Sequence, residues 1–438
     1  MKTKLLLPLL AVIAIIMNSC SSGESADAGD LIATVPNDAS LVAVANLKAI
    51  VEKADAKNLG TNPQELADIL CNPENGVEPS VAVVFNVGYY TYMSGIAADP
   101  AKFKAAIEKK KGVKFTTEDG IDVGGNFAIS ANQYWMCIGN TSIDPREVKH
   151  FTSLDKTQSF TSNKQSDALC KFDKDIVGWG NIAGLLNTAN ADFQQRAIVQ
   201  AVLQTAFEDA SDLSFSVDFQ KGKAVIEANI LNTKGSLAKF LFPTETIDVK
   251  TVESAGTTTD ALAAIAIPNK LITELIKQTS SKGVSMFDII LKSFSGVDGT
   301  TAVAFNENGS ALSGVISTNG QNMAAITQLL AQRNVKTVLD GNKIRISEGT
   351  LSGNSQVSEL AAEFKGAMLG VATASARDFI KGSNEAVAGG AFTLRPSGNS
   401  LQARVVLFGT DRDKNILSGL VKGASAQSAA PAPADTVR

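Results

Sequence analysis

Ser80-Val81-Ala82-Val83-Val84-Phe85-Asn86, a short turn and Tyr92-Met93-Ser94-Gly95-Ile96-Ala97 read as two apolar strands in one hairpin. Thr301-Ala302-Val303-Ala304-Phe305-Asn306, a short turn and Leu312-Ser313-Gly314-Val315-Ile316 repeat that pattern in the second half. A helical stretch follows each copy. The unit is strand, turn, strand, helix, and the chain uses it again.

Working outward in the first half, Leu41–Ala45 is a buried-strand run, and Asn46 caps a helix whose Leu47, Ile50, Val51 and Ala54 share one face. Asn62-Pro63-Gln64-Glu65 is a helix start with cap, proline and glutamate in order. Asp99-Pro100 opens a helix through Phe103 and Ile107 that Lys109-Lys110-Lys111-Gly112 closes. Strands follow at Phe127–Ile129 and Tyr134–Ile138. The plan then recurs: strand Asp175–Gly180, a helix capped by Asn181, a longer helix over about 192–207, and a hairpin alternating through Leu213–Phe219 and Ala224–Ile230 about Lys221-Gly222.

In the second half, Ala261–Ile267 is a strand, and Leu271, Ile272, Leu275 and Ile276 stripe the next helix. Further helices are expected from Ser285 and through Met323–Leu330. Asp340-Gly341-Asn342 turns the hairpin Lys336–Leu339/Lys343–Ser347. Ser166–Gly180 aligns on Ser358–Ala372 without a gap, pairing Ser166 with Ser358, Phe172 with Phe364 and Gly178 with Gly370. A helix over 376–380 and the hairpin Ala391–Leu394/Leu401–Leu407 complete the half. The expected fold class is α+β: two tandem duplicated domains, each a mostly antiparallel sheet with helices packed on one face. The expected boundaries are 31–245 and 250–424, with a disordered Ala/Ser/Pro tail at 425–438.

The first nineteen residues stand apart. Lys2 and Lys4 precede a thirteen-residue apolar run, Leu5–Met17, too short to span a bilayer as a mature helix. The run ends at Met17-Asn18-Ser19-Cys20, which resembles a bacterial lipoprotein signal, with Met17 where leucine is usual. The resemblance implies cleavage before Cys20 and lipidation (palmitate and related chains) of that thiol, an anchor worth about 0.8 kcal/mol per buried methylene. An ordinary secreted protein cut nearby is the alternative. Residues 20–30 form a small, polar, acidic tether. Ser21, by resemblance to other lipoproteins, favours the outer membrane, facing periplasm or exterior. Losing the leader lysines takes the net charge from −4 to −6, and no basic stripe is present, so nucleic acid is not an expected partner.

Little in the chain points to catalysis. His150 is the only histidine, which excludes a histidine-rich metal site, and no GxSxG elbow is present. Cys71, Cys137 and Cys170 have no CxxC spacing and read as buried thiols, with no pair favoured. Asp411–Asn415 begins like a calcium loop, but Ile416 and Lys422 stand where glycine and glutamate are required. Gly178-Trp179-Gly180 lacks the third glycine of a phosphate turn, so Trp179 reads as core. No metal or cofactor is expected. All four tyrosines and both tryptophans lie in the first half, and the second hairpin copy lacks rings at the matching places. Tyr90, Tyr92 and Tyr134 are therefore candidate binding residues for a peptide, glycan or envelope protein. Filling a larger core is the competing reading of the same rings.

The leader, Asp30–Ala39 and the strand–helix Val42–Lys53 resemble a family of large Bacteroidota lipoproteins of unknown function. That resemblance implies an anchored envelope protein and supplies no catalytic residues. The expected function is a non-catalytic binding or structural module held to the membrane through Cys20. The alternative is a hydrolase of envelope or dietary polymers using a carboxylate pair assembled by the fold.

Overall fold

The computed structural model describes residues 28–54, 69–139, 142–171, 173–181, 212–230, 245–280, 292–306, 311–353, 355–374, 386–397 and 400–420. Cys20, the leader, most of the tether, the tail and the helices expected at 62, 182, 192–207, 285 and 376–380 lie outside them.

In chain order the first half holds α1 (Gly29–Ala33), β1 (Leu41–Asn46), α2 (Leu47–Ala54), β2 (Glu78–Val87), β3 (Tyr90–Ile96) and α3 (Pro100–Lys111). Four short strands follow, β4 (Thr116–Glu118), β5 (Ile121–Gly124), β6 (Phe127–Ser130) and β7 (Gln133–Ile138). Then come α4 (Pro145–Thr152), α5 (Ser166–Cys170), β8 (Ile176–Asn181), β9 (Asp212–Gln220) and β10 (Lys223–Ile230). The second half opens with α6 (Val249–Glu253), β11 (Thr258–Thr259), β12 (Ala261–Ile267), α7 (Asn269–Ser280), β13 (Val297–Phe305) and β14 (Leu312–Thr318). It continues with α8 (Met323–Ala331), β15 (Lys336–Asp340), β16 (Lys343–Glu348), β17 (Ser355–Gln356), α9 (Val357–Ala362), β18 (Leu369–Thr373), β19 (Val387–Ser397) and β20 (Ser400–Gly409).

The local chemistry behaves as the sequence leads one to expect. The Asn46 side chain accepts the Ala49 N–H at 2.9 Å and starts α2. Asp99 caps α3 by accepting the Lys102 N–H, and Gly112 ends it at φ +66°. Gly88 at φ +57° lets Val87 pair with Tyr90 across a two-residue turn. Trp179 is a buried residue of β8. Asp411 accepts the Asp413 and Lys414 N–H groups and Asn415 caps the last turn, so this segment is turn and cap.

Among the described residues eighteen strands form one sheet, and every adjacent pair is antiparallel. From one edge the order is β4, β5, β6, β7, β3, β2, β1, β8, β9, β10, then β20, β19, β18, β12, β13, β14, β16, β15. The fold is thus α+β with a large antiparallel sheet. Two separate sheets were expected, but the sheet runs unbroken through the seam, where Lys223–Ile230 pairs with Phe408–Leu401. Each of these strands ends its own half and would otherwise expose an open edge. Outward from the seam, the first half runs β9, β8, β1, β2, β3, β7 and the second runs β19, β18, β12, β13, β14, β16.

The sheet is covered on both faces, where helices on one face were expected. One cluster joins Ala43, Val84, Met93 and Met136 to Leu47 and Ile50 of α2 and Phe103 and Ile107 of α3. The opposite face joins Val42, Val83, Phe85 and Trp135 to Leu31 of α1, Phe151 of α4 and Leu169 of α5. The second half likewise has two clusters, one under α6 and α9 and one around Ile272 of α7 and Ile326 of α8. The cause is in the strands: Leu41–Ala45 and Val81–Phe85 are apolar at every position, so both faces need cover.

Candidate functional site

The β2–β3 hairpin carries its tyrosines to one end of the sheet. Tyr89 in the turn is 93% exposed and Tyr90, the first residue of β3, is 45% exposed. Alternation along β3 then sends the Tyr92 ring to the second face. There it lies 5.5 Å from Phe85 and 5.1 Å from Phe151, with Tyr90 at 6.4 Å. The Tyr92 hydroxyl donates to Glu147 Oε2. Burial, reinforced by the Glu147 carboxylate, pushes the Tyr92 phenol far above its ordinary value and holds it protonated.

Glu147 reaches this ring because Asp144-Pro145 starts α4 beside it. Asp144 accepts the Arg146 N–H at 2.9 Å, and Arg146 grips the same carboxylate through Nε at 3.1 Å and Nη2 at 2.7 Å. That guanidinium holds Asp144 below the usual carboxylate range. Tyr90, Tyr92, Ser142, Ile143, Asp144 and Glu147 bound a pocket of about 140 Å³. Its walls offer phenol rings and carboxylate oxygens, which suit ligands rich in hydrogen-bond donors.

Tyr134 does not join them. It stands on β7 opposite Gly95, on the other face, fully buried against Phe103 at a ring distance of 4.8 Å. Burial raises its phenol far above the ordinary value. Its ring has no route to a ligand, and Tyr92 is just as buried at 1% exposure, so of the three candidate tyrosines Tyr90 alone stands in water. The sequence carried a sign of this. A Cβ on Gly95 would lie 2.4 Å from the Tyr134 oxygen, so a glycine opposite the ring makes its room. Asp144 and Glu147 were not singled out from sequence. The signal was Asp144-Pro145-Arg146-Glu147, the same cap–proline–glutamate spacing as Asn62–Glu65.

The remaining candidates settle into structural roles. His150 is exposed in the last turn of α4. Cys71 and Cys137 belong to clusters on opposite faces, and Cys170 packs against the Cys137 cluster. Among the described residues no group of three His, Cys, Asp or Glu is placed to hold a metal, and no helix is long and apolar enough to cross a membrane. A second pocket of about 350 Å³ in the second half is bounded by Asp248, Thr251, Asp298, Thr300 and Lys343. Two of its acids are engaged: Asp248 caps α6 and accepts Thr251 Oγ1 at 2.6 Å, and Asp298 accepts the Asn269 N–H at 2.9 Å, while Glu245 on the same wall is exposed.

No family model matches the chain, and no curated protein does. Two crystal forms of TP0453 are among the solved structures that are similar to it. Form I shares 8% identity over 78% of this chain and 96% of that one, with a TM-score of 0.28. Form III shares 9% identity over 76% and 96%, with a TM-score of 0.26. Likeness at this level carries no argument about fold or activity.

Proposed function

We propose that this chain is a lipid-anchored lipoprotein of the bacterial outer membrane, facing periplasm or exterior, that works as a non-catalytic binding module. The leader through Met17-Asn18-Ser19-Cys20 and the acidic tether supply the anchor. The observation that carries the binding reading is the hairpin tip. Two adjacent tyrosines stand exposed there, Tyr90 on the wall of the pocket it shares with Asp144 and Glu147, and the second hairpin copy has no ring at those places. The ligand class is a peptide or glycan presenting hydroxyl or amine donors. The hydrolase reading draws less support, because in both pockets the paired acids are already engaged: Asp144 and Asp248 cap helices, Glu147 accepts from Tyr92 and Asp298 from the Asn269 N–H. The matching strand succession of the two halves favours descent from one duplicated unit.

A glycan and peptide array probed with the full chain tests this. Tyr89→Ala/Tyr90→Ala is expected to abolish the positive features without moving the melting temperature, since both side chains are exposed. Retained binding by that variant refutes the assignment. Cys20→Ser is expected to lose fatty-acid labelling and detergent-phase partitioning, and a labelled variant refutes the anchor.

A further inference from the structure

The two edges of the sheet differ. β4, at one edge, exposes Thr116, Thr117 and Glu118, a polar strand that resists pairing. β15, at the other, reads Lys336-Thr337-Val338-Leu339-Asp340, with Val338 63% and Leu339 58% exposed. These are two of the four exposed large hydrophobics among the described residues, the others being Tyr89 and Tyr90.

The hairpin sets which backbone groups of β15 are unused. Asp340 pairs with Lys343 across the two-residue turn, with Gly341 at φ +58°. In such a hairpin the flanking pair is hydrogen-bonded and the pattern alternates away from it. Lys336, Val338 and Asp340 therefore direct N–H and C=O toward β16. Thr337 and Leu339 direct theirs outward.

We infer that β15 pairs antiparallel with β15 of a second copy of this chain, about a two-fold axis through Val338. This register follows from parity and charge. It sets Thr337 against the partner copy's Leu339 and Leu339 against its Thr337, the two positions with outward groups, for four main-chain hydrogen bonds. Val338 meets its own copy as the close, non-hydrogen-bonded pair. Lys336 stands opposite Asp340 at both ends, so opposite charges meet twice. Lys336 has no ion-pair partner within the described chain, and Asp340 shares an exposed bridge with Arg345 at 3.0 Å. A shift by one residue brings the inward-directed groups to the edge, and a shift by two separates the charge pairs. The apolar pair in the centre and complementary charges at the ends select a second copy over an unrelated strand. With four main-chain bonds the association is weak and concentration-dependent.

Cysteine cross-linking of the full-length protein tests the register. Close antiparallel pairs place Cα atoms about 4.5 Å apart, within disulfide reach. Val338→Cys is expected to give a disulfide dimer under mild oxidation, and so is a mixture of Lys336→Cys with Asp340→Cys chains. Lys336→Cys alone is expected to give none, since its copies lie four residues apart along the ladder. Equal cross-linking by Lys336→Cys alone, or none by Val338→Cys, overturns the inference. In sedimentation velocity, Lys336→Asp creates two like-charge pairs and is expected to weaken association by about tenfold. Lys336→Asp/Asp340→Lys restores it. A wild-type chain that stays monomeric at every concentration also overturns the proposal and leaves the edge to a different strand.

Discussion

Replacing Lys53 by methionine tests how the first half holds its charge. Lys53 Nζ, from α2, lies 2.7 Å and 2.8 Å from the two oxygens of Asp175 and 3.4 Å from Asp218 Oδ1. The Asp175 side chain is only 2% exposed, that of Lys53 31%. The Phe219 N–H also donates to Asp175 Oδ2, at 2.6 Å. Burial raises the Asp175 carboxyl above its ordinary value despite the Lys53 and Phe219 bonds. For Asp218 burial also acts upward, but the Gln220 amide, Lys53 and Lys174 outweigh it and lower the carboxyl. Lys53→Met leaves Asp175 charged and buried at neutral pH with one donor fewer. Breaking a buried pair costs about 3–5 kcal/mol, and partial exposure of Lys53 brings the expected loss to about 2–3 kcal/mol.

The pH dependence of that loss identifies its cause. A carboxyl raised in the fold contributes stability that is present below its unfolded value of 3.8 and lost as pH rises through the folded one. Without Lys53 the folded value of Asp175 climbs further, so the variant's deficit is largest at pH 7 and shrinks toward pH 4 as Asp175 takes a proton. Asp218 works the other way, because its stability is present above 3.8 and lost in acid, and its link to Lys53 is longer. Urea midpoints at pH 7 and pH 4, compared at equal slope, measure the difference. Asp175→Asn added to Lys53→Met is expected to recover most of the loss at pH 7. Equal deficits at both pH values, or additive losses in the double variant, refute the reasoning.

Tyr134→Ala is expected to cost about 3–5 kcal/mol, as a deleted core ring does, whereas Tyr90→Ala stays within about 0.5 kcal/mol; urea titration separates them. Gly95→Ala pushes a methyl to 2.4 Å from the Tyr134 oxygen and is expected to cost about 1–3 kcal/mol, part of it relieved by Tyr134→Phe in the same chain. Tyr92→Phe removes the bond to Glu147 and is expected to cost about 1 kcal/mol. Phenols raised in the fold keep stability below 10.0 and lose it as pH rises beyond, so absorbance at the phenolate band should show Tyr92 and Tyr134 un-ionised as pH passes 10 until the chain unfolds. Asp99→Ala removes the α3 cap and is expected to cost about 1 kcal/mol, read in the same titrations.

Strands, caps and turns were legible because they depend on neighbours in the chain. The runs Val81–Phe85 and Ala302–Phe305 are apolar without a break, the Asp99-Pro100 start is a local hydrogen-bond pattern, and Gly88 and Gly341 stand where positive φ is needed. The site was half legible. Exposed Tyr89 and Tyr90 follow from a hairpin turn, but Glu147 meets Tyr92 across 55 residues, a distance along the chain that no periodicity spans. The error over Tyr134 has a definite source. Tyr92 and Tyr134 sit on adjacent strands, yet Tyr92 pairs with Cys137 while Tyr134 pairs with Gly95, and that register puts the two rings on opposite faces.

The chain's own order of residues determined the described strands, the caps and the antiparallel hairpins, since each is settled by contacts a few residues long. Tertiary structure decided three things: that β10 and β20 close on each other into one sheet, that both faces are covered, and which rings stay in water. Each is a choice of partner between segments far apart in sequence, set by unpaired strand edges and by apolar area on both sides of a strand, and strand register alone assigns a side chain to one face or the other.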